Sequence, residues 1–399
     1  MSDATIFPAT TALPAIRIDT ETFTALRRHI HAHPELGFEV EATGSLVAER
    51  LESWGYKVHT GIGRSGIVAQ LRLGSGSRRL GIRADMDALP IIEATGLPYA
   101  SRTRGKMHAC GHDGHTAMLL AAAKVLADTR DFNGTLNLIF QPDEENLGGA
   151  RAMIQDGLFE RFPCDAVFAL HNRPGMPIGT YLVAPGPVTL SSDVADVTVR
   201  GVGGHGATPR RTRDPIVAVA AMIGALQTVI SRNVPPGDPA VLSVGFVRGG
   251  ATYNVIPESA TFGLNVRALR TETRSLVEQR VREVIELTAR AHGVSADINY
   301  RALTPPVVNS ETETCIVQKV CESLVGTERV ETGAPRSLNG SEDFAWMLNE
   351  VPGCYLIIGN GEGEGGGCMV HNASYDFNDA ALPLGAACWV RLVHTYLHE

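Results

Sequence analysis

The chain has 399 residues, of which 44% are hydrophobic, 20% charged and 42 glycine, and its formal net charge is −8. The length predicts two or three domains, and the composition is that of a globular protein, excluding a disordered chain, a collagen and a coiled coil. The acidic balance argues against a nucleic-acid surface.

No apolar core segment follows a basic start, because the first basic residue is Arg17, so no secretory signal is expected. Helices are predicted over residues 23–33 and 44–54, then strands over 67–73 and 79–84. A helix rich in Ala and Leu follows over 116–127, with further strands over 135–140 and 165–170 bounded by Gly, Pro and Asp. Strands alternating with helices imply βαβ units and a mostly parallel sheet. The pattern changes after Pro185 and Pro187. Residues 194–200 alternate as a half-exposed strand does. Asp214-Pro215 then opens a long apolar helix, with Asp as N-cap and Pro in the first turn. That helix is too short and too polar to span a bilayer and is read as buried. Strands over 240–247 and 260–267, a charged amphipathic helix over 272–292 and a strand over 295–301 complete a split βαβ pattern. Residues 187–306 are therefore expected to form an α+β domain inserted between residues 1–186 and 307–399 of an α/β catalytic domain. The chain returns with helix, strand and helix, ending in an apolar helix over 379–397. Residues 359–367 read as a glycine-rich surface loop, and no internal repeat is visible.

Seven cysteines, an odd number without a C-x-x-C, speak against a disulfide framework and fit a reduced cytoplasmic compartment. The densest chemistry is Met107-His108-Ala109-Cys110-Gly111-His112-Asp113-Gly114-His115. In an extended segment the side chains of Cys110 and His112 leave on the same side, and a thiolate beside an imidazole suits a divalent transition metal. The plainer reading is a polar turn before a helix. Gln141-Pro142-Asp143-Glu144-Glu145 follows an apolar strand, which Pro142 should end, placing the carboxylates at the strand's carboxyl end, where open α/β sheets bind ligands. Neighbouring residues there diverge, so one glutamate can hold a metal while the other faces water or substrate. Taken alone, a solvated acidic turn is the better reading of it. His171-Asn172 directly follows another strand, and His371 precedes the last helix; each alone reads as structural. Together Cys110, His112, Glu145, His171 and His371 exceed what one tetrahedral ion needs and suffice for two ions sharing a bridging ligand.

Gly61-Ile62-Gly63-Arg64-Ser65-Gly66 matches G-x-G-x-x-G, but a strand rather than a helix is expected after it, which dismisses dinucleotide binding. No H-E-x-x-H exists. Cys110 as a nucleophile is the weaker alternative to Cys110 as a metal thiolate.

These motifs resemble the dinuclear metal amidohydrolase and metallopeptidase family of aminoacylases, hippurate hydrolases and indole-acetyl-amino-acid hydrolases. The resemblance also includes Arg27-Arg28-His29-Ile30-His31-Ala32-His33-Pro34-Glu35-Leu36, Arg83-Ala84-Asp85-Met86-Asp87-Ala88-Leu89-Pro90, Gly203-Gly204-His205-Gly206-Ala207, Asn254-Val255-Ile256-Pro257 and Ser341-Glu342-Asp343-Phe344. It implies a parallel-sheet metallopeptidase domain with an inserted ferredoxin-like lid or dimerisation domain. It implies two divalent ions per chain, zinc or manganese, with cobalt and nickel as further candidates. Cys110 would bridge them, with His112 and His171 on one ion and Glu145 and His371 on the other. Glu144 would be the general base and His205 the oxyanion donor, in some relatives acting from a partner subunit. Asn254 and Arg267 would grip the substrate carboxylate.

Three departures from the family pattern stand out. Arg210 occupies a position often held by histidine, Leu264-Asn265-Val266-Arg267 replaces G-T-x-R, and Arg83 stands where distant relatives have a ligand histidine. The expected activity is hydrolysis of the amide of a small N-acyl or N-aroyl amino acid by a cytoplasmic homo-oligomer, with no nucleic-acid or membrane partner. A dipeptidase or aminopeptidase is the nearest alternative, and a non-catalytic metal-binding protein the alternative from another class.

Overall fold

The computed structural model describes residues 4–7, 15–333, 340–363 and 366–398. The chain divides into two compact units, one of Met1–Val188, Val308–Arg336 and Asp343–Glu399, the other of Thr189–Val307 and Ser337–Glu342. The second unit thus takes back a short piece, including Ser341 and Glu342, that lies far along the chain from the rest of it.

The first unit is built on an eight-stranded sheet. Its strands, from one edge to the other, are Val330–Glu331, Tyr181–Leu182, Gly353–Gly361, Ala166–Pro174, Arg79–Asp85, Gly134–Gln141, Gly66–Leu73 and Lys57–Ile62. The four inner strands from Gly353–Gly361 to Gly134–Gln141 run parallel, with Ile357 beside His171, Ile82 beside Phe168 and Asp85 beside Gln141. Every residue of Gly134–Gln141 and Gly353–Gly361 is buried, as expected of a parallel sheet covered on both faces. Gly359 to Gly361 therefore belong to a core strand and not to the expected surface loop; residues 364 and 365 of that loop lie outside the described residues. The strand Gly66–Leu73 does follow the G-x-G-x-x-G segment and pairs back on Lys57–Ile62, so that segment is a hairpin turn.

Helix His112–Thr129 packs against both Thr20–Ala32 and Leu382–Tyr396. The last approach is close, since a Cβ on Gly385 would lie 1.9 Å from Met118 Sδ. Buried Arg27 ties the first of these helices to Asp113, Asp376 and Asp379.

The His33-Pro34-Glu35-Leu36-Gly37-Phe38 stretch has two local jobs. Glu35 accepts the backbone amides of Ala42 and Thr43 at 3.0 and 2.7 Å, capping helix Glu41–Ser53, whose own N-cap residue Val40 cannot. Gly37 lets the chain pass the carboxylate turn: a Cβ there would lie 1.7 Å from Asp143 Oδ1, and Phe38 N donates to Pro142 O at 3.0 Å. Glu35→Ala is expected to lower stability by about 1 kcal/mol, the usual worth of a lost helix cap, measured as a shifted denaturation midpoint with unchanged slope.

The second unit carries a four-stranded antiparallel sheet in the order Ala240–Gly249, Ser259–Ala268, Ser192–Arg200, Ser295–Thr304. Numbered along the chain that is 2-3-1-4, the split βαβ arrangement. Helices Pro215–Asn233 and Thr271–His292 pack together and against this sheet. Val277, Val281, Ile285 and Ala289, spaced by four, meet Val197, Val199 and Phe262 in the core. Asp214 caps the first helix by accepting the Ile216 amide at 2.8 Å.

The apolar helix is not buried all round, contrary to expectation. Ala218, Val219, Met222, Leu226 and Val229 are covered, while Ile216 and Val217 are exposed. By length and composition alone it could cross a membrane; its covered stripe is instead the core of an α+β unit.

Candidate metal centre

All five proposed ligands lie in the first unit. The sheet explains the convergence: the carboxyl ends of the parallel strands Arg79–Asp85, Gly134–Gln141 and Ala166–Pro174 share one edge. Pro142 does end its strand, and Glu144 and Glu145 form the turn beyond it. Two local expectations need correction. Cys110 and His112 are not on an extended segment: Gly111 has φ +92°, a left-handed conformation suited to glycine, and His112 is already the first residue of a helix that begins four residues before Thr116. The turn at Gly111 thus does what strand alternation was expected to do. His171 and Asn172 lie within strand Ala166–Pro174, not after it.

Ligand-capable atoms of Cys110, His112 and His171 lie within 4.8 Å of one another, as do those of Cys110, Glu145 and His371, and of His112, Glu144 and Glu145. Cys110 Sγ is 3.3 Å from His171 Nε2. Glu145 Oε2 is 3.4 Å from His371 Nε2, and its Oε1 is 3.9 Å from His112 Nε2. His371 is delivered by a loop, with φ +62°, and its amide donates to Ala109 O at 2.7 Å.

The tautomers are set by neighbours. His171 Nδ1–H donates to Asn172 O at 2.7 Å, and His112 Nδ1–H to Asp87 Oδ1 at 3.2 Å. Both leave Nε2 facing the cluster, the arrangement in which an acceptor on the other ring nitrogen orients a metal-binding imidazole.

Two buried atoms here, His112 Nε2 and Glu145 Oε1, have no hydrogen-bond partner among the described residues. Buried polar atoms are rarely left so, and a cation between them would use both lone pairs. The charge pattern agrees. Burial, then Glu145, Glu144 and Asp85, push the Cys110 thiol well above its usual range. Burial pushes Glu145 up to about 7 against the pull of His112. Burial opposes a charge on His112, but Asp85, Asp87 and Glu145 raise it to about 10. Burial, with His115 next, depresses His171. Crowded anions, a thiol and imidazoles form an environment that a divalent ion reverses, since a coordinating thiol is deprotonated. The residues fit a two-ion site.

Three buried residues without an assigned role from sequence also belong here. Asp87 links the ligand side to the carboxylate turn: Oδ1 holds His112, while Oδ2 accepts the amides of Glu144 and Glu145 at 3.0 Å each. Asp85 receives His115 Nδ1–H at 2.6 Å. Arg83 does not approach as a ligand; its Nε and Nη1 donate to Gln141 Oε1 and Asp85 Oδ2, each at 2.8 Å. The signal for Asp85 and Asp87 was their spacing of two at the end of an apolar strand. Asp87→Ala is expected to weaken metal binding about 10–100-fold and to lower kcat as well, because one carboxylate orients both a ligand and the turn carrying Glu144. A change in kcat at full metal loading separates the second effect from the first.

His205, Asn254 and Arg267 lie in the second unit. His205 and Asn254 come together: Gly204–His205 pairs with Val255–Ile256, and Gly206 N donates to Asn254 O at 2.8 Å. His205 Nδ1 accepts the Ala207 amide at 3.1 Å, so its Nε2–H points outward as a donor. Arg267 is on strand Ser259–Ala268, its Nε donating to Asn265 Oδ1 at 3.2 Å and its Nη1 to Ser341 Oγ at 2.6 Å. The departure at Asn265 therefore braces Arg267. Arg210 lies exposed in the short turn Pro209–Arg211.

Residues 81–395 match peptidase family M20/M25/M40. The chain is 42% identical over 375 residues to hippurate hydrolase of Campylobacter jejuni, covering 94% of this chain and 96% of that protein. It is 38% identical to the IAA-amino acid hydrolase ILR1-like 2 of Arabidopsis thaliana, covering 94% and 85%. The fold matches a dinuclear metal-binding M20 peptidase of Bacillus subtilis with a TM-score of 0.82 and 31% identity, over 95% of this chain and 98% of that one. With a ligand set that fits two ions at the edge of a parallel sheet, the chain belongs to peptidase family M20/M25/M40 and is a metal-dependent amidohydrolase.

Proposed function

We propose that the protein hydrolyses the amide bond of small N-acyl or N-aroyl amino acids, using Cys110 as a ligand shared by two divalent ions, His112 and His171 on one and Glu145 and His371 on the other. The observation that carries the reading is the cluster itself: five ligand-type side chains converge, two of their buried atoms have no hydrogen-bond partner among the described residues, and a further buried carboxylate, Glu144, stands beside them. When bound, such ions lower the pKa of water towards about 7 and polarise the amide carbonyl. Thiolate ligation favours zinc.

Glu144 takes the proton of the attacking water and returns it to the leaving nitrogen as the amide breaks. The Asp87 carboxylate fixes the turn that presents it. His205, through its Nε2–H, is the donor to the developing oxyanion, a role worth about 3–4 kcal/mol per donor. Arg267, braced by Asn265 and Ser341, and Asn254 bind the substrate carboxylate. The hippurate hydrolase and IAA-amino acid hydrolase names of the relatives support an N-acyl amino acid substrate.

The test is a panel of N-acetyl, N-benzoyl and indole-acetyl amino acids, their carboxamides, and dipeptides, assayed with zinc and manganese. N-Acyl amino acids should exceed both other groups in kcat/KM by tenfold or more; a preference for dipeptides with free amino groups would sink the reading.

The second unit also supports self-association. Among the described residues, strand Ala240–Gly249 pairs on one side only and exposes Val241, Phe246 and Val247, whereas the opposite edge, Ser295–Thr304, turns Ser295, Asp297, Asn299 and Arg301 to solvent. An apolar open edge invites pairing with a second copy, and a polar one does not. Light scattering should report a dimer that Val247→Lys converts to a monomer.

A further inference from the structure

Beside the proposed ligands runs a buried chain of hydrogen bonds in which no ligand takes part. His115 Nδ1–H donates to Asp85 Oδ1 at 2.6 Å, and its Nε2 lies 2.8 Å from Asn172 Oδ1. Asn172 Nδ2 then donates to the Tyr375 hydroxyl at 2.6 Å. All four residues are at most 2% exposed.

This chain touches the ligand frame at His171, at His112, whose Nε2 lies 3.7 Å from Asp85 Oδ2, and at the turn between Cys110 and His112. Asn172 is the residue whose carbonyl fixes the His171 tautomer. The His115 ring packs edge-on to the His171 ring at 4.6 Å. Asn172 Oδ1 and the Tyr375 hydroxyl press on the turn between Cys110 and His112, where a Cβ on Gly111 would lie 2.4 and 2.6 Å from them. Glu145 and His371 are held by other links, the Asp87 bond to the Glu145 amide and the His371 amide bond to Ala109.

We propose that Asn172, locked between His115 and Tyr375, is the positioning residue for the ion held by Cys110, His112 and His171, and not for the ion held by Cys110, Glu145 and His371. The proposal rests on the ligand partition proposed above. Its physical basis is that an imidazole ligand binds tightly only while its ring plane and tautomer are fixed, and outer partners of this kind are worth about 10–100-fold in metal affinity. Removing the Asn172 side chain leaves the backbone carbonyl that orients His171 in its strand, but it unlocks the His115 ring that packs on the His171 ring and removes the surface against which the Gly111 turn is seated.

The experiment is titration of metal-free protein with Co(II), followed by ligand-field absorption, on the full chain. Wild type should bind two equivalents. Asn172→Ala should keep one equivalent with affinity within about threefold of wild type and weaken the other about 10–100-fold. Tyr375→Phe, which removes one oxygen and keeps the ring, should weaken the same equivalent by less; it carries the test if Asn172→Ala does not fold. His371→Ala should retain one tight ion, and adding Asn172→Ala to it should remove that ion too.

A double variant that keeps a tight ion would overturn the proposal. So would Asn172→Ala and Tyr375→Phe proteins that bind both ions as wild type does, or lose both to the same degree. Wild type binding fewer than two equivalents would instead defeat the ligand partition, and this proposal with it.

Discussion

Glu144→Gln should lower kcat by about 10²–10⁴-fold, roughly 3–5 kcal/mol of barrier, while the protein keeps its two divalent ions. Glutamine preserves the shape of a side chain that is 7% exposed and leaves the Glu144 amide on Asp87. What it removes is the ability to accept a proton from water and pass it to the leaving nitrogen. The ligands proposed here do not include Glu144, so metal content measured by mass spectrometry should stay unchanged. Wild-type turnover in this variant would show that another group moves the proton. A matching loss of metal would make Glu144 a ligand and not the base.

Cys110→Ala should have the larger effect on the metals. Its sulfur belongs both to the group with His112 and His171 and to the group with Glu145 and His371, so its removal weakens both sites together, whereas His371→Ala removes a ligand from one. Ions that bind only the folded chain stabilise it by mass action, about 2.7 kcal/mol per site at a hundredfold excess over Kd. A chelator should therefore lower the unfolding temperature of wild type and abolish activity, with both restored by added zinc. In Cys110→Ala the unfolding temperature should barely respond to either. If Cys110→Ala retained two tight ions, the shared-ligand role would be wrong.

Apolar strands ended by Pro142 and helices opened by Asp214-Pro215 are local signals, governed by backbone chemistry at single positions, and they reappear in the structure. The candidate ligands could be named as early, because a Cys, three His and paired Glu at predicted strand and helix ends suit a metal site when taken together.

How those residues meet depends on packing between distant parts of the chain. Gly111 turns the chain through a left-handed conformation, so Cys110 and His112 converge across a helix start instead of along a strand. The hydrogen-bonding roles of Asp85, Asp87, His115 and Asn172 were not legible in the sequence because their partners lie 25 to 57 residues away; a hydrogen bond of that span is invisible to periodicity. Ser341, far from Arg267 in the chain, became its brace for the same reason. Local sequence fixes which side chains can bind a metal or move a proton. Long-range packing of parallel strands, which brings distant carboxyl ends to one edge, fixes which lone pairs face one another, and the chemistry depends on that second choice.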